Sequence, residues 1–274
     1  MQSTVDYLIV GGGSSGCALA GRLSEDANTQ VLLLEAGGKG DNWLVNTPAA
    51  VVLMVPKKVN NWAFETVPQP GLNGRKGYQP RGKVLGGSSS INAMAYIRGH
   101  RNDYDEWAAL GNAGWSFDEV LPYFKRSEDN RRIKNEMHGQ GGPLVVSDLQ
   151  TDNPFQGHYL EAARQVGYPI NEDFNGTEQE GVGLYQVTQE NGERWSSYRG
   201  YIKPHLDTRS NLRVETGAQT QRILFEGKRA VGVEYRQSGR LVTVMARKEV
   251  ILCAGAFQSP QLLMLSGICD AAEL

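Results

Sequence analysis

Cysteine and histidine are both scarce in this chain of 274 residues, which carries three of the former and four of the latter. Cys17, Cys253 and Cys269 are odd in number and include no C-x-x-C pair. A disulfide framework or a thiolate zinc site is therefore not expected, and a reducing compartment is favoured. His100, His138, His158 and His205 never pair at metal-ligand spacing, and none stands in a nucleophile–base pattern. Each is expected at the surface or in a loop. No serine occupies a G-x-S-x-G frame. No apolar stretch reaches the length of a membrane span, and no signal peptide is expected before the first apolar run. An excess of one charge is also missing: 28 Lys and Arg face 30 Asp and Glu, a formal net charge of −2. That gives no electrostatic ground for a nucleic-acid partner. The short basic clusters Lys57-Lys58 and Arg131-Arg132-Ile133-Lys134 read as solvated loops. Repeats and low-complexity segments are absent. Apolar residues make up 40%, enough for one large or two moderate domains.

What is present begins at once. Asp6-Tyr7-Leu8-Ile9-Val10 is a short apolar run that breaks into Gly11-Gly12-Gly13-Ser14-Ser15-Gly16, a fit to G-x-G-x-x-G. Small and apolar residues follow from Cys17 to Leu23, then Val31-Leu32-Leu33-Leu34 ends in Glu35. The order is strand, turn, helix, strand, acid. Gly11 permits the tight turn, Gly13 leaves room for a pyrophosphate, and Gly16 lets the helix lie close on its strands. The helix N-terminus presents free N–H groups and a positive dipole end to phosphates. Glu35, nineteen residues past Gly16, is placed to accept both hydroxyls of a ribose. A carboxylate there would repel a 2′-phosphate, so FAD or NAD(H) is expected rather than NADP.

Residues 36–80 are rich in Asn, Pro and Gly and read as extended loops with little regular structure. Trp62 belongs to an aromatic island within them, where core packing and ligand contact are both open. Gly86 and Gly87 again permit close backbone approach, and Ser88, Ser89 and Ser90 can cap a helix expected to continue through Ile97. Helices are expected over Tyr104–Leu110, Phe117–Arg126 with Ser116 as cap, Phe155–Val166, and Ser196–Leu206 with a break at Pro204. A strand is expected from Gly141 to Val146, and residues 171–195 are polar and turn-rich. Residues 222–225, 230–235 and 241–244 form three apolar runs separated by turns, an antiparallel meander. Glu249–Gly255 then reads as a separate, buried, parallel-type strand, followed by a helix near Ser259-Pro260. The fold class is α/β: a Rossmann-like half whose last parallel strand returns beside the first.

Three stretches stand together: residues 11–16 with Glu35, Gly82-Lys83-Val84-Leu85-Gly86-Gly87-Ser88-Ser89-Ser90-Ile91-Asn92, and Gly255-Ala256-Phe257-Gln258-Ser259-Pro260-Gln261-Leu262-Leu263-Met264-Leu265-Ser266-Gly267-Ile268. In this set and order the chain resembles the glucose–methanol–choline (GMC) oxidoreductases, FAD enzymes that oxidise alcohols, and within them the bacterial branch of choline and aliphatic alcohol dehydrogenases. The resemblance implies an FAD-binding domain from residues 1–38 and 207–274, a flavin-covering segment at 75–135, and part of an α+β substrate domain at 136–206. It implies that Gly11, Gly13, Ser14, Ser15 and Gly16 hold the pyrophosphate, and that Glu35 and the Ala36 backbone hold the adenosine ribose. Val84, Gly86, Gly87 and the segment from Asn92 to Ala95 would lie along the flavin and its ribityl chain. The Thr220 backbone would meet adenine, and Trp62 would approach the flavin.

Some members carry a flavin-linked histidine just before the asparagine of the second stretch. Here that place is Ile91, so non-covalent FAD is expected. Family members run to about twice this length and carry the catalytic histidine in their second half, which implies that this chain is the N-terminal half, without that residue. The third stretch reads Gly267-Ile268-Cys269-Asp270 where the family has Gly-Ile-Gly-Pro, which points to a chain cut or mis-read near its end. The expected chemistry is hydride transfer from a primary alcohol, choline or an aliphatic one, to flavin N5. The electron acceptor would be a quinone or other carrier, and the location cytoplasmic, with peripheral contact to the inner membrane left open. A truncated, non-catalytic flavin-binding fragment is the rival reading. An NAD-dependent dehydrogenase would explain residues 1–35 and leave the other two stretches without a role.

Overall fold

β1 (Ser3–Val10) and β2 (Val31–Leu34) show why the central sheet must be covered on both sides. All four residues of β2 are apolar and buried. Leu32 and Leu34 join one apolar cluster with Leu8, Val10, Val233, Tyr235 and Leu262. Val31 and Leu33 join a second, with Ile9, Cys17, Ala20, Tyr198 and Ile202. The two-residue period of a strand sends these sets to opposite faces. The computed structural model describes residues 3–272. It contains two compact units, one made of the residues up to Ala93 with those from Ser196 onward, the other Met94–Trp195. The boundary after Ala93 falls inside the segment 75–135.

In the first unit, α1 (Ser14–Leu23) follows β1. After the excursion through the second unit come α2 (Ser197–Tyr201), β3 (Leu212–Glu215), β4 (Gln219–Glu226), β5 (Arg229–Gln237), β6 (Arg240–Leu252) and α3 (Gly255–Leu265). The six strands lie in the order β3-β2-β1-β6-β5-β4. β3, β2, β1 and β6 are parallel, while β6, β5 and β4 form the antiparallel meander. This is the Rossmann-like arrangement, with the last parallel strand beside the first.

Two expected elements prove to be one. The run 241–244 and residues 249–252 of the run expected to reach 255 belong to the single 13-residue β6, antiparallel to β5 over its first half and parallel to β1 from Val244 to Leu252. The polar break at 247–248 that hid this continuity is compensated by an irregularity in β1 between Val5 and Tyr7. There Asp6 accepts hydrogen bonds from Arg247 Nε at 3.0 Å and from the Gln30 N–H at 2.8 Å.

The helix expected to continue from residue 88 to Ile97 does not form. Gly87–Ser90 make one 3-10 turn, and Met94 has a left-handed backbone, φ 64°. Beyond it the backbone pairs sideways: Tyr96 N–H donates to Gln186 O at 2.8 Å and Thr188 N–H to Met94 O at 2.9 Å. Those bonds replace the ones a helix would need. Residues 36–80 are less irregular than expected, since they include the short helices Trp43–Asn46 and Val51–Met54.

The second unit holds helices Arg101–Ala109, Phe117–Ser127 and Pro154–Gln165, and a three-stranded sheet of Glu128–Asn130, Leu144–Asp148 and Gln186–Val187. His138, expected at a surface or in a loop, does lie in a loop of this unit but is buried there. Its Nδ1 lies 2.8 Å from Glu128 and its Nε2 3.0 Å from Asp173, and Arg98 reaches the other Glu128 oxygen at 2.6 Å. A lone histidine in a linear sequence gives no sign of acidic partners ten and thirty-five residues away. Burial alone would lower the pKa of His138, but the hydrogen bonds and charges of Asp173 and Glu128 outweigh it and raise it to about 9. The pair is stabilising where the imidazole is charged in both states, below its ordinary value of 6.5. Stability should therefore fall as pH rises from 6.5 to about 9, in denaturant unfolding followed across that range. His138→Gln should remove that slope, and an unchanged slope in the variant would contradict the assignment.

Candidate functional site

β1 ends at Val10 and the chain turns sharply at Gly11 into α1. The helix packs so tightly on this turn that a Cβ on Gly16 would lie 1.9 Å from Gly11 O. Only glycine fits there. Gly13 is open instead, since a Cβ built on it would meet nothing nearer than Cys253 O at 3.9 Å. Gly13 is the N-cap of α1; no side chain caps the helix and no acid stands in its first turn. The first-turn N–H groups and the positive end of the dipole therefore face outward unneutralised.

They face a cavity of about 700 Å³, lined by residues of the first unit alone. One end is formed by Gly11, Gly13, Ser14 and Ser15 with Leu34, Glu35 and Ala36 at the tip of β2. A second wall is residues 218–221, and a third is the turn from Leu252 into α3. The glycine pair of the second sequence stretch closes over the first turn. Gly86 N–H donates to Gly12 O at 2.7 Å, and Gly87, with φ +55°, would put a Cβ 2.6 Å from the Gly13 Cα. The two glycine motifs, about seventy residues apart in sequence, are thus one backbone-to-backbone contact.

Glu35 is buried, 6% exposed, and its carboxylate accepts from Gly37 N–H at 2.7 Å and Gly12 N–H at 2.9 Å. Desolvation raises its pKa to about 7, against the pull of those two donors and of the Lys83 charge. Each oxygen keeps a lone pair for a further donor. Thr220 Oγ1, in the 218–221 segment, is a buried hydroxyl with no hydrogen-bond partner among the described residues. A buried polar atom without a partner costs about 1–3 kcal/mol, so this wall is suited to a polar occupant.

Trp62 lines the cavity and stacks on Phe64, with centroids 5.7 Å apart and planes 7° from parallel. Lys83 Nζ sits 4.1 Å over its ring, and the Arg81 guanidinium 4.7 Å over that of Phe257, another lining residue. Asn61 holds this wall, since its Oδ1 accepts from the N–H groups of Ala63 and Arg81. Asn61, Arg81 and Phe257 were not singled out from the sequence. Arg81 and Phe257 lie beside or within the recognised stretches, whereas nothing in linear spacing marks Asn61.

The expected residues are not all placed alike. Gly11, Gly13, Ser14, Ser15, Glu35, Ala36, Trp62, Gly87 and Thr220 line the cavity. Gly16 and Gly86 stand behind it as packing positions. Val84 is fully buried in a cluster with Val45, Met54 and Ile91. Asn92 is exposed after the 3-10 turn, and Ala95 belongs to the second unit. None of the four histidines lines the cavity, and no group of histidine, cysteine or acidic residues suited to a metal occurs among the described residues.

Two outcomes follow. Gly16→Ala should destabilise the chain by several kcal/mol, since the added methyl meets backbone that cannot yield, as read from denaturant unfolding. A change within about 0.5 kcal/mol would refute the close approach. For Glu35 the native pKa lies above its ordinary 4.5, so its contribution to stability is complete below 4.5 and lost as pH rises to about 7. Ligand-free unfolding should show that decline, and Glu35→Gln should flatten it.

Residues 5–274 match the family model described as GMC oxidoreductase. The chain is 47% identical to human mitochondrial choline dehydrogenase over 275 residues, covering 98% of this chain and 46% of that protein. It is 48% identical to an alcohol dehydrogenase [acceptor] of Pseudomonas putida, covering 98% of this chain and 49% of that one. The solved structure of an FAD-dependent oxidoreductase from Chaetomium thermophilum superposes with a TM-score of 0.89 at 33% identity, over 96% of this chain and 48% of that one. The chain spans about half the length of these relatives. By the match over nearly its whole length, it belongs to the GMC oxidoreductase family.

Proposed function

We propose that the cavity of the first unit binds FAD non-covalently and that the chain serves the oxidation of a primary alcohol, choline or an aliphatic one. One observation carries the binding proposal: an uncapped helix N-terminus and, beside it, a buried carboxylate with spare lone pairs open on the same cavity. In this reading the backbone from Gly13 to Ser15 holds the diphosphate. Glu35 accepts the two ribose hydroxyls, with Ala36 beside it. The 218–221 wall, with the unpartnered Thr220 hydroxyl, meets the base. Trp62, Gly86, Gly87, Val84, Asn92 and Ala95 are assigned toward the flavin end by the family pattern. Non-covalent attachment is supported by Ile91, an alkyl side chain without a nucleophilic atom that is buried with Val45, Met54 and Val84.

A bound flavin would supply the hydride acceptor of alcohol oxidation. What this chain's residues do is hold and orient. No histidine stands at the cavity to take an alcohol proton. The acceptor of the electrons is proposed to be a quinone or other carrier, with the location cytoplasmic and peripheral to the inner membrane.

Purified chain mixed with excess FAD and passed through a desalting column tests the binding proposal. It should emerge yellow, with a flavin spectrum that denaturation releases unchanged. Glu35→Gln should weaken FAD affinity by about 10- to 100-fold, the worth of one or two hydrogen bonds to a charged acceptor. Colourless wild-type protein with a native far-ultraviolet spectrum would overturn it, as would NADH bound in preference to FAD.

A further inference from the structure

β1 and β6 are neighbouring parallel strands, and each runs into a helix at the same end of the sheet. α3 is like α1 at its start. Ala254 is its N-cap, no side chain caps it, and no acid stands in its first turn. Gly255, Ala256 and Phe257 of that turn line the cavity. The two starts are adjacent, since a Cβ on Gly11 would lie 2.4 Å from Cys253 O and 2.9 Å from the Ala254 Cα. Two uncapped helix starts therefore open on the cavity side by side.

Each helix start acts as roughly half a positive charge. The diphosphate of a dinucleotide carries a negative charge on each phosphate, so the two starts together offset about one of them. Among the described residues that line the cavity, Glu35 and Arg81 alone carry charge. Glu35 is an acid and adds to the need for a cation. Arg81 forms no ion pair among the described residues, and its guanidinium donates only to the Pro80 carbonyl, from Nη1 at 2.8 Å. Most of its five N–H donors stay uncommitted.

The chain fixes Arg81 beside both helix starts. Its backbone N–H donates to Asn61 Oδ1 at 2.9 Å, and its carbonyl accepts from the Trp62 N–H at 2.8 Å. Gly82, the next residue, packs on the second glycine pair: a Cβ there would lie 2.1 Å from Gly87 O, and Gly87 in turn lies against Gly13, the N-cap of α1. The guanidinium carbon sits 4.7 Å over the ring of Phe257, in the first turn of α3. Phe64 meets that ring edge-on, with centroids 6.0 Å apart, and Trp62 stacks on Phe64. A guanidinium that lies on an aromatic face keeps its N–H edge for an anion, and its fork suits phosphate.

We propose that Arg81 is the charge partner of the bound diphosphate, with Phe257 as the platform that holds it. The proposal rests on the dinucleotide reading of the cavity. It makes the preference for a ligand with a diphosphate, over a flavin alone, the work of one side chain.

Titration calorimetry of the full chain with FAD, ADP-ribose and riboflavin tests it. Arg81→Gln should weaken FAD and ADP-ribose alike by about 10- to 100-fold, the worth of charge-assisted hydrogen bonds, and leave riboflavin unchanged. Arg81→Lys keeps the charge without the fork, and its affinities should fall between those of wild type and Arg81→Gln. Phe257→Leu should cost about 2- to 5-fold, the worth of a cation–π stack. Added salt should weaken ADP-ribose binding in the wild type, and less so in Arg81→Gln. Unchanged affinity of Arg81→Gln for ADP-ribose would overturn the proposal and leave the dinucleotide reading standing. An equal loss for riboflavin would also overturn it, since the guanidinium would then face the flavin ring. Wild-type protein that binds ADP-ribose with this dependence on Arg81 and rejects FAD would support the role of Arg81 and overturn the flavin. Wild-type protein that binds neither dinucleotide would overturn both.

Discussion

The structure depends on one close approach of backbone to backbone. α1 can reach the end of β1 only because residue 16 has no side chain, and residue 87 can cross the same turn, against the Gly13 Cα, only because it too has none. These contacts leave the helix N-terminus uncapped at the wall of a cavity. They also bring together the C-terminal tips of β1, β2 and β6, which is where ligands sit in parallel α/β sheets. The apolar burial on both faces of β2 makes the sheet stable, but it would do so around many turns. The glycines make this turn a binding site.

Glu35 shows how the site is prepared before any ligand arrives. Its carboxylate is removed from water, which raises its pKa, and is held by the N–H groups of Gly12 and Gly37. The acid is thus fixed in orientation and short of solvation. New donors would relieve that shortage, so a ligand with a diol would find an acceptor already in place. The unpartnered Thr220 hydroxyl in the 218–221 segment is a second polar group of the same kind. Neither is explained by the stability of the chain alone.

Much of this was legible in the sequence where a local rule governs. The G-x-G-x-x-G turn, the all-apolar β2 and the turns of the meander follow from backbone freedom and periodicity, and the structure shows them. The rest depended on partners far along the chain. Nothing local tells that Met94–Tyr96 will pair with residues 186–188 rather than extend a helix. Nothing local tells that β6 continues through a polar step because Asp6 binds Arg247 across it. His138 reads as an isolated histidine until the fold sets it between Glu128 and Asp173.

Hydrogen exchange at individual backbone amides, with and without ligand, tests the central claim most directly. On this account FAD or ADP-ribose protects the amides of residues 11–17 and 35–37, and riboflavin, which has neither diphosphate nor adenosine, leaves them unchanged. Protection confined to other segments, or equal protection by riboflavin, would contradict the claim that the glycine turn and Glu35 hold a dinucleotide.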